Sequence, residues 1–221
     1  MSIALRCELP PGNGLERGVN PRLLLATLAG IAKKTQLRSI RERLCLMIEI
    51  VPEIAALEEE INTNRRWFHQ HPELSFQEFK TAERVVVLLK EYGITEIFEK
   101  VGRTGVVALI RGAQPGPCVA LRADMDALPV QETADIPFRS VNDGVMHACG
   151  HDGHVAGLLA TAKVLNAQKA TLKGVVKLIF QPAEEGYHGA KEMMIDGCLE
   201  EGKQGPRVDS IYGIHLWSGM T

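Results

Sequence analysis

The sequence concentrates residues with metal-binding side chains between positions 146 and 154, which read Met-His-Ala-Cys-Gly-His-Asp-Gly-His. Cys149 and His151 are two residues apart, and Gly150 between them permits a tight bend. Both side chains can therefore point at one ion. A thiolate and an imidazole together suit zinc or a similar transition metal. A buried structural cysteine beside surface histidines is the alternative for any one residue alone, but the density of the cluster favours a metal site.

Two pairs of acidic residues add candidate ligands and a candidate base. Asp124 and Asp126 follow one apolar run, and Glu184 and Glu185 follow another. Adjacent carboxylates repel each other and are costly to enclose unless a cation neutralises one of them. A natural division places one glutamate on the metal and leaves the other free as a base. An exposed acidic turn is the common alternative for either pair.

His215 is the last candidate ligand along the chain. A lone histidine at the end of a strand is more often structural, so its assignment depends on the other clusters. With them, the sequence supplies a cysteine, histidines and a glutamate, each at the end of a predicted βα element. This is one set of metal ligands distributed along one edge of a sheet.

The elements that must position these residues follow from the pattern of apolar side chains. Short, β-branched runs predict four buried strands, at residues 105–110, 118–122, 175–180 and 210–214. A helix is predicted at about residues 152–166. Alternating strands and helices of this kind indicate an α/β sheet that is covered on both faces. Chemistry in such folds lies at strand ends, where the polar clusters fall here.

Two further helices are predicted before the first strand. One spans about residues 52–69, and the other follows Ser75 and Glu78, whose spacing predicts a capping box. Gly93 is predicted to cap the C-terminus of the second helix. The inner face of that helix is predicted to consist of four apolar residues: Phe79, Ala82, Val86 and Leu89.

Composition narrows the classes of function. The net charge of −2 argues against a surface that binds nucleic acid. The longest aliphatic run, residues 23–32, is much shorter than the roughly 20 residues that a membrane span needs. Five cysteines, an odd number without a CxxC pair, favour a reducing compartment over a disulfide framework. The sequence therefore predicts a cytoplasmic protein with neither a nucleic-acid nor a membrane partner.

Residues 1–52 are predicted to form a separate N-terminal extension. Its first 20 residues read as irregular, because they contain Pro10, Pro11, Gly12 and Gly14. Residues 17–43 are basic, so targeting to an organelle is the alternative to a cytoplasmic location. A solvated extension and a wrongly assigned start are the other interpretations.

Five motifs together resemble the amidohydrolase branch of the dinuclear metallopeptidases, which includes aminoacylase, hippurate hydrolase and the plant auxin-conjugate hydrolases. They are RRWFHQHPELSFQE (Arg65–Glu78), LRADMDALP (Leu121–Pro129), MHACGHDGH (Met146–His154), FQPAEEG (Phe180–Gly186) and GIHLW (Gly213–Trp217). Their order and spacing match the family over roughly residues 53–221. The resemblance implies an α/β catalytic domain with a mixed, mostly parallel sheet and helices on both faces. It also implies hydrolysis of the amide bond of N-acyl-amino acids or short peptides.

The resemblance also implies roles for individual residues. It implies four ligands for two divalent ions, zinc or manganese: Cys149, His151, Glu185 and His215. The Cys149 thiolate lies between the two ions in this scheme, Glu184 is the catalytic base, and Asp126 steadies the site. The wider superfamily has a histidine ligand where this chain has Asp124, and His151 is expected to take over its role.

The chain also departs from the family, whose members are longer. After the matched region they carry a small lid and dimerisation domain and then a returning half of the catalytic domain, which brings a final histidine ligand. Residues 53–221 are therefore predicted to be the first part of a catalytic domain, with impaired activity on its own and a homodimer as the full-length form. A non-catalytic metal-binding fragment or pseudoenzyme of the same fold is the alternative. The preferred acyl group stays open.

Overall fold

The computed structural model describes residues 51–216. Almost all of the predicted N-terminal extension lies outside the described residues, as does Trp217 of the last motif. The extension and its targeting role stay predictions. No helix within the described range combines the length and the apolar character that crossing a bilayer requires.

The described residues form a sheet flanked by helices. In chain order the elements are α1 (Pro52–Ala55), α2 (Glu58–Gln70), α3 (Phe79–Glu91), β1 (Glu96–Val101), β2 (Gly105–Arg111), β3 (Gln114–Asp124), α4 (His151–Ala167), β4 (Lys173–Gln181), α5 (Gly189–Ile195) and β5 (Ser210–Gly213). The four predicted strands and the predicted helix at residues 152–166 are confirmed, with small shifts at their ends.

The sheet has the strand order β1-β2-β4-β3-β5 and is mixed, as predicted. Strand β2 pairs antiparallel with β1 and with β4. Strand β3 pairs parallel with β4 and with β5, so three neighbouring strands run in one direction. Asp124 lies opposite Gln181, and Arg122 lies opposite Gly213. The carboxyl ends of these three strands therefore reach the same edge of the sheet.

Apolar side chains cover both faces of the sheet, which confirms the predicted layering. The larger core, between the sheet and helices α2, α3 and α4, contains buried residues such as Phe68, Leu89, Leu159 and Phe180. The smaller core lies on the opposite face and includes Ile179 with Met193 of α5. Each fully buried side chain of this size contributes about 1.5–3 kcal/mol to the free energy of unfolding. These contacts hold the parallel strands in place beneath the strand ends.

Two predictions about the helices before the sheet are corrected. The helix predicted at residues 52–69 is interrupted, because α1 ends at Ala55 and α2 begins only at Glu58. Leu57 between them donates its N–H to the carbonyl of Ile54 at 3.0 Å, which is a turn rather than a continued α-helix. An apolar period that runs through such a break does not reveal it.

The start of α3 also differs from its prediction. The predicted capping box is wrong, because Ser75 and Glu78 bind partners elsewhere. The carboxylate of Glu73 accepts the N–H groups of Lys80 and Thr81 at the start of the helix instead, at 3.2 and 2.9 Å. Phe79 is 66% exposed, so its place on the inner face is wrong. It occupies the first position of α3. Val86 and Leu89 are buried as predicted, and Gly93 follows the helix with a φ of +78°.

Strand β1 was not predicted from the sequence. Three of its six residues are charged, in Glu-Ile-Phe-Glu-Lys-Val, and it lies at one edge of the sheet. An edge strand buries fewer side chains than a central one, so its sequence shows little of the apolar pattern that marks the other strands.

A lysine lies buried within the central strand β4. The side chain of Lys177 is inaccessible to solvent, on the same face of the sheet as Ile179. Its ammonium group donates to the carbonyl oxygens of Cys198 at 2.9 Å and Pro206 at 2.7 Å. Burial lowers the pKa of Lys177. The lysine therefore ties the segment after α5 to the sheet by satisfying two main-chain carbonyls.

We expect Lys177→Met to lower the free energy of unfolding by about 2 kcal/mol, because both carbonyls lose their donor. Urea unfolding followed by circular dichroism measures the change. Lys173→Met is the matched control, since Lys173 is exposed at the start of the same strand. A Lys177→Met protein as stable as the control would show that the two hydrogen bonds contribute nothing net.

Candidate metal centre

The chemistry-bearing residues meet where the three parallel strands end. Asp126 follows β3, the pair Glu184 and Glu185 follows β4, and His215 follows β5. Cys149 precedes α4, the helix that connects β3 to β4. Their predicted convergence on one edge of the sheet thus agrees with the strand register.

His151 is the central side chain of this group. It is fully buried at the first position of α4, directly after Gly150, whose φ of +85° provides the bend between Cys149 and His151. Its Nδ1 lies 2.8 Å from the carbonyl oxygen of Asp126. Because a carbonyl can only accept a hydrogen bond, Nδ1 carries the proton, and the lone pair of Nε2 faces the centre.

The other predicted ligands surround Nε2 of His151. Ligand atoms of Cys149, His151 and His215 lie within 4.8 Å of one another, and so do those of His151, Glu184 and Glu185. The Sγ of Cys149 lies 3.5 Å from Nε2 of His215. Nε2 of His151 lies 3.8 Å from the Glu185 carboxylate and 4.0 Å from that of Glu184. The two groups of three share His151.

Two buried atoms at this point lack hydrogen-bond partners among the described residues. They are Nε2 of His151 and Oε1 of Glu185, and both are acceptors as oriented here. Leaving buried polar atoms unsatisfied costs free energy, which a cation between them would recover. The donor set combines sulfur, nitrogen and carboxylate oxygen, which fits a divalent transition metal.

The surroundings of Cys149 disfavour its thiolate form unless a cation is bound nearby. Burial, followed by interaction with the carboxylate of Glu185 and with other nearby carboxylates, raises the pKa of Cys149 to about 12. With these neighbours alone the thiol keeps its proton at neutral pH. A divalent ion reverses this balance, because it favours the thiolate as a ligand.

Asp126 organises the loop that carries the two glutamates. Its carboxylate accepts hydrogen bonds from the Ser75 hydroxyl at 2.6 Å and from the backbone N–H groups of Glu184 and Glu185 at 2.9 and 3.0 Å. Burial disfavours its charged form, but these bonds and one from His151 outweigh burial and lower the pKa to about 2. Asp126 stays ionised and holds the segment after β4 in place.

A second buried aspartate positions the segment that bears His215. Asp124 accepts from Arg122 at 2.6 Å and lies 2.5 Å from Nδ1 of His154, whose Nε2 accepts the backbone N–H of Leu216 at 2.8 Å. Ligand atoms of Asp124, His151 and His154 form a third close group. No role was predicted for His154 from the sequence, although its spacing of three from His151 places both on one face of a helix.

His147 is the member of the dense histidine cluster that joins none of these groups. It is buried, and neither ring nitrogen has a hydrogen-bond partner within the described residues. Burial lowers its pKa to about 4, so it is neutral at physiological pH.

Comparison with known proteins shows which family this part of the chain resembles. Residues 120–221, which include the Asp126, Cys149, Glu185 and His215 segments, match the model of peptidase family M20/M25/M40. The chain carries a peptidase M20 domain. The family resemblance drawn from the five motifs is confirmed.

Individual relatives of the M20 domain agree with this result. The chain is 46% identical over 172 residues to an N-acyl-L-amino acid amidohydrolase of Geobacillus stearothermophilus, covering 76% of this chain and 45% of that protein. It is 44% identical over 168 residues to the hippurate hydrolase of Campylobacter jejuni, covering 76% and 42%. The crystal structure of the Bacillus subtilis YXEP protein, a dinuclear metal-binding peptidase of the M20 family, matches with a TM-score of 0.66 and 45% identity. That match covers 72% of this chain and 43% of the other.

The chain thus spans less than half the length of each of these relatives.

Next to the candidate metal centre, the M20 domain contains a buried network of charges that the sequence did not reveal. His69 of α2 lies between two buried carboxylates, with Nδ1 2.9 Å from Asp152 and Nε2 3.1 Å from Glu132. Arg65 donates to the same oxygen of Asp152 at 3.2 Å, and Glu132 accepts the backbone N–H of Ser140 at 2.7 Å. Asp152 directly follows His151, so this network fixes the start of α4.

The hydrogen bond to Asp152 raises the pKa of His69, against burial, and the contact with Glu132 raises it further. A raised folded-state pKa means that the stabilisation is complete below the unfolded value of about 6.5 and is lost as the pH rises through the folded value. We expect His69→Gln to cost about 3 kcal/mol at low pH, because it breaks a buried ion pair. The cost should shrink as the pH rises above about 6.5.

Urea unfolding of both proteins between about pH 5.5 and pH 9 tests this expectation. His71→Gln is the control, since its ring stacks on Trp67 and its Nδ1 lies 2.7 Å from the Trp67 carbonyl rather than between carboxylates. A difference between wild type and His69→Gln that does not change with pH would contradict a protonated His69.

Proposed function

We propose that this chain forms part of the active site of a metal-dependent hydrolase that cleaves the amide bond of N-acyl-amino acids. Short peptides are the second substrate class. The observation that carries the proposal is the pair of unsatisfied buried atoms, Nε2 of His151 and Oε1 of Glu185. They lie among a thiol, an exposed imidazole and a second glutamate. The relatives that act on N-acyl-amino acids and hippurate support this substrate class.

Cys149, His151, Glu185 and His215 would hold two divalent ions. Zinc and manganese both suit this donor set. The position of Cys149 supports this proposal. Its thiol lies near His215 on one side and near Glu185 on the other.

Divalent ions bound here supply Lewis acidity, which polarises an amide carbonyl and lowers the pKa of a water molecule. Glu184 is the proposed base. Its side chain is 40% exposed, whereas that of Glu185 is 23% exposed, so Glu184 is the more accessible of the two to substrate and water. Its carboxylate accepts the proton of the attacking water and then delivers it to the nitrogen of the departing amine. Asp126 holds the backbone of both glutamates while this happens.

The two glutamates can be distinguished by substitution, because a base can be lost without loss of the ions whereas a ligand cannot. We expect Glu184→Gln to reduce turnover by 100-fold or more, roughly the contribution of a general base, with metal content retained. We expect Glu185→Gln to lower metal occupancy. Metal content after dialysis and hydrolysis of N-acetyl- and N-benzoyl-amino acids are measured on the longest form that can be expressed.

Glu200→Gln is the control for both measurements, since Glu200 is exposed in the segment after α5. The reverse pattern, with metal lost in Glu184→Gln and kept in Glu185→Gln, would show that the two roles are exchanged.

We further propose that the 221-residue chain alone is a poor catalyst. Within the described residues, β5 pairs only with β3 and lies at an edge of the sheet, and Ile211, Tyr212 and Ile214 near it are about half or more exposed. An exposed apolar edge favours pairing with further chain. Four protein ligands shared by two ions also fall short of the roughly three per ion that catalytic zinc sites hold.

The test is to saturate the 221-residue chain with zinc or manganese and to assay N-acetyl- and N-benzoyl-amino acids, with the Campylobacter jejuni hippurate hydrolase as reference. We expect metal binding with turnover at least 100-fold below the reference, about the loss that follows from an incomplete site. Turnover close to the reference from a monomer would refute this proposal. The homodimer and the cytoplasmic location also stay predictions.

A further inference from the structure

Two buried carboxylates bind three consecutive backbone N–H groups in the loop that carries the two glutamates. The N–H of Ala183 donates to Oε1 of Glu78 at 2.8 Å. Those of Glu184 and Glu185 donate to Asp126 at 2.9 and 3.0 Å. We call residues 182–189 the Glu-Glu loop. Asp126 is an expected contributor to the site, whereas Glu78 has no role in the function proposed above.

The Glu-Glu loop has a backbone conformation that its own sequence does not favour. Ala183 has a φ of +49°, in the left-handed region that side chains other than glycine rarely adopt. The loop closes on itself, because Gly189 donates its N–H to the Ala183 carbonyl at 2.9 Å. A Cβ at Gly189 would lie 1.8 Å from the carbonyl oxygen of Pro182, so this closure requires glycine. Such a conformation persists only where surrounding contacts determine it.

Glu78 supplies such a contact from a distant part of the chain. Its side chain is fully buried, 105 residues away from Ala183 in sequence. Its second oxygen accepts the hydroxyl of Thr104 at 2.5 Å. Thr104 lies in the turn between β1 and β2, so Glu78 joins this turn to the Glu-Glu loop. Both carboxylate oxygens are thereby satisfied by donors that hold them in one orientation.

We propose that Glu78 is a positioning residue for the metal centre. By binding the N–H of Ala183 it fixes the left-handed bend from which Glu184 and Glu185 project toward His151. This inference rests on the proposed function, because it assigns Glu78 a purpose in metal binding. The competing view is that Glu78 serves only the stability of α3, which begins at the next residue.

Substitutions at Glu78 separate these two views. We expect Glu78→Ala to weaken binding of Zn²⁺ or Mn²⁺ by about tenfold or more, as loss of a group that orients a ligand does. We expect Glu78→Gln to restore most of the affinity. The glutamine carbonyl can still accept from Ala183, and its amide can donate to the Thr104 hydroxyl, which then acts as acceptor. Affinity is measured on the 221-residue chain by competition with a chromophoric chelator.

Leu89→Ala is the matched control. Leu89 is fully buried in α3, so its loss destabilises the same helix without touching the Glu-Glu loop. We expect its metal affinity to stay within about twofold of wild type, since distant sites act independently. An equal loss of affinity in Glu78→Ala and Leu89→Ala, or none in Glu78→Ala, would overturn the positioning role.

Hydrogen exchange of the metal-free chain gives a readout that needs neither ions nor turnover. In Glu78→Ala the amides of residues 183–185 should exchange at least tenfold faster than in wild type, while those of β4 stay protected. Uniform acceleration across the sheet, or unchanged exchange in the loop, would count against the proposal. If Glu78→Ala does not fold, Thr104→Val is the second test, because it removes the hydroxyl that binds Glu78. We expect faster exchange at the Ala183 amide and about threefold weaker metal binding in this variant. No change in either measurement would refute the positioning role.

The two proposals fail in different ways. A wild-type chain that binds neither Zn²⁺ nor Mn²⁺ would refute the metal centre, and the exchange measurement would then decide alone whether Glu78 holds the loop. Wild-type binding with unaltered affinity in Glu78→Ala would refute the role of Glu78 and leave the metal centre standing.

Discussion

The arrangement of the candidate metal centre depends on the buried carboxylate of Asp126. It is buried, and a buried charge is tolerable only where hydrogen bonds replace the water it has lost. Its donors come from the segment before α3, through Ser75, and from the backbone of Glu184 and Glu185. Its own main-chain carbonyl orients His151. Segments far apart in sequence therefore have to be in place together for this one carboxylate to be satisfied.

The same region concentrates negative charge. Four carboxylates lie within 4.0 Å of the ring nitrogens of His151: Asp124, Asp126, Glu184 and Glu185. The two aspartates accept hydrogen bonds from within the protein, Asp126 from backbone N–H groups and Asp124 from Arg122 and His154. The two glutamates are more exposed and lack comparable partners among the residues described. The protein thus supplies hydrogen bonds to the two aspartates that support the site. The two glutamates, which are proposed to meet the ions and the substrate, stay accessible.

The sequence predicted those parts of the fold that depend on continuous local patterns. Strands β2 to β5 and helix α4 were found because their apolar residues recur at the strand or helix period, and the strand register then explains why the predicted ligands meet. Strand β1 escaped detection because its charged edge sequence carries little pattern. Ser75 and Glu78 fit a capping box locally, but buried partners at Asp126 and Ala183 compete successfully for them. The contact of His69 with Asp152 spans 83 residues, which no local pattern reveals.

The parallel arrangement of β3 and β5 has a consequence for how the protein is made. Next to the paired strands β3 and β5, the N–H of Cys118 donates to the carboxylate of Asp209. These two residues are 91 positions apart in sequence. During synthesis at about 5–20 residues per second, β3 leaves the ribosome several seconds before β5 follows. Over that interval the edge of β3 that β5 will occupy has no partner from its own chain, and contacts between such distant residues form slowly. The nascent chain is therefore vulnerable to aggregation at the strand that later supports the candidate metal centre.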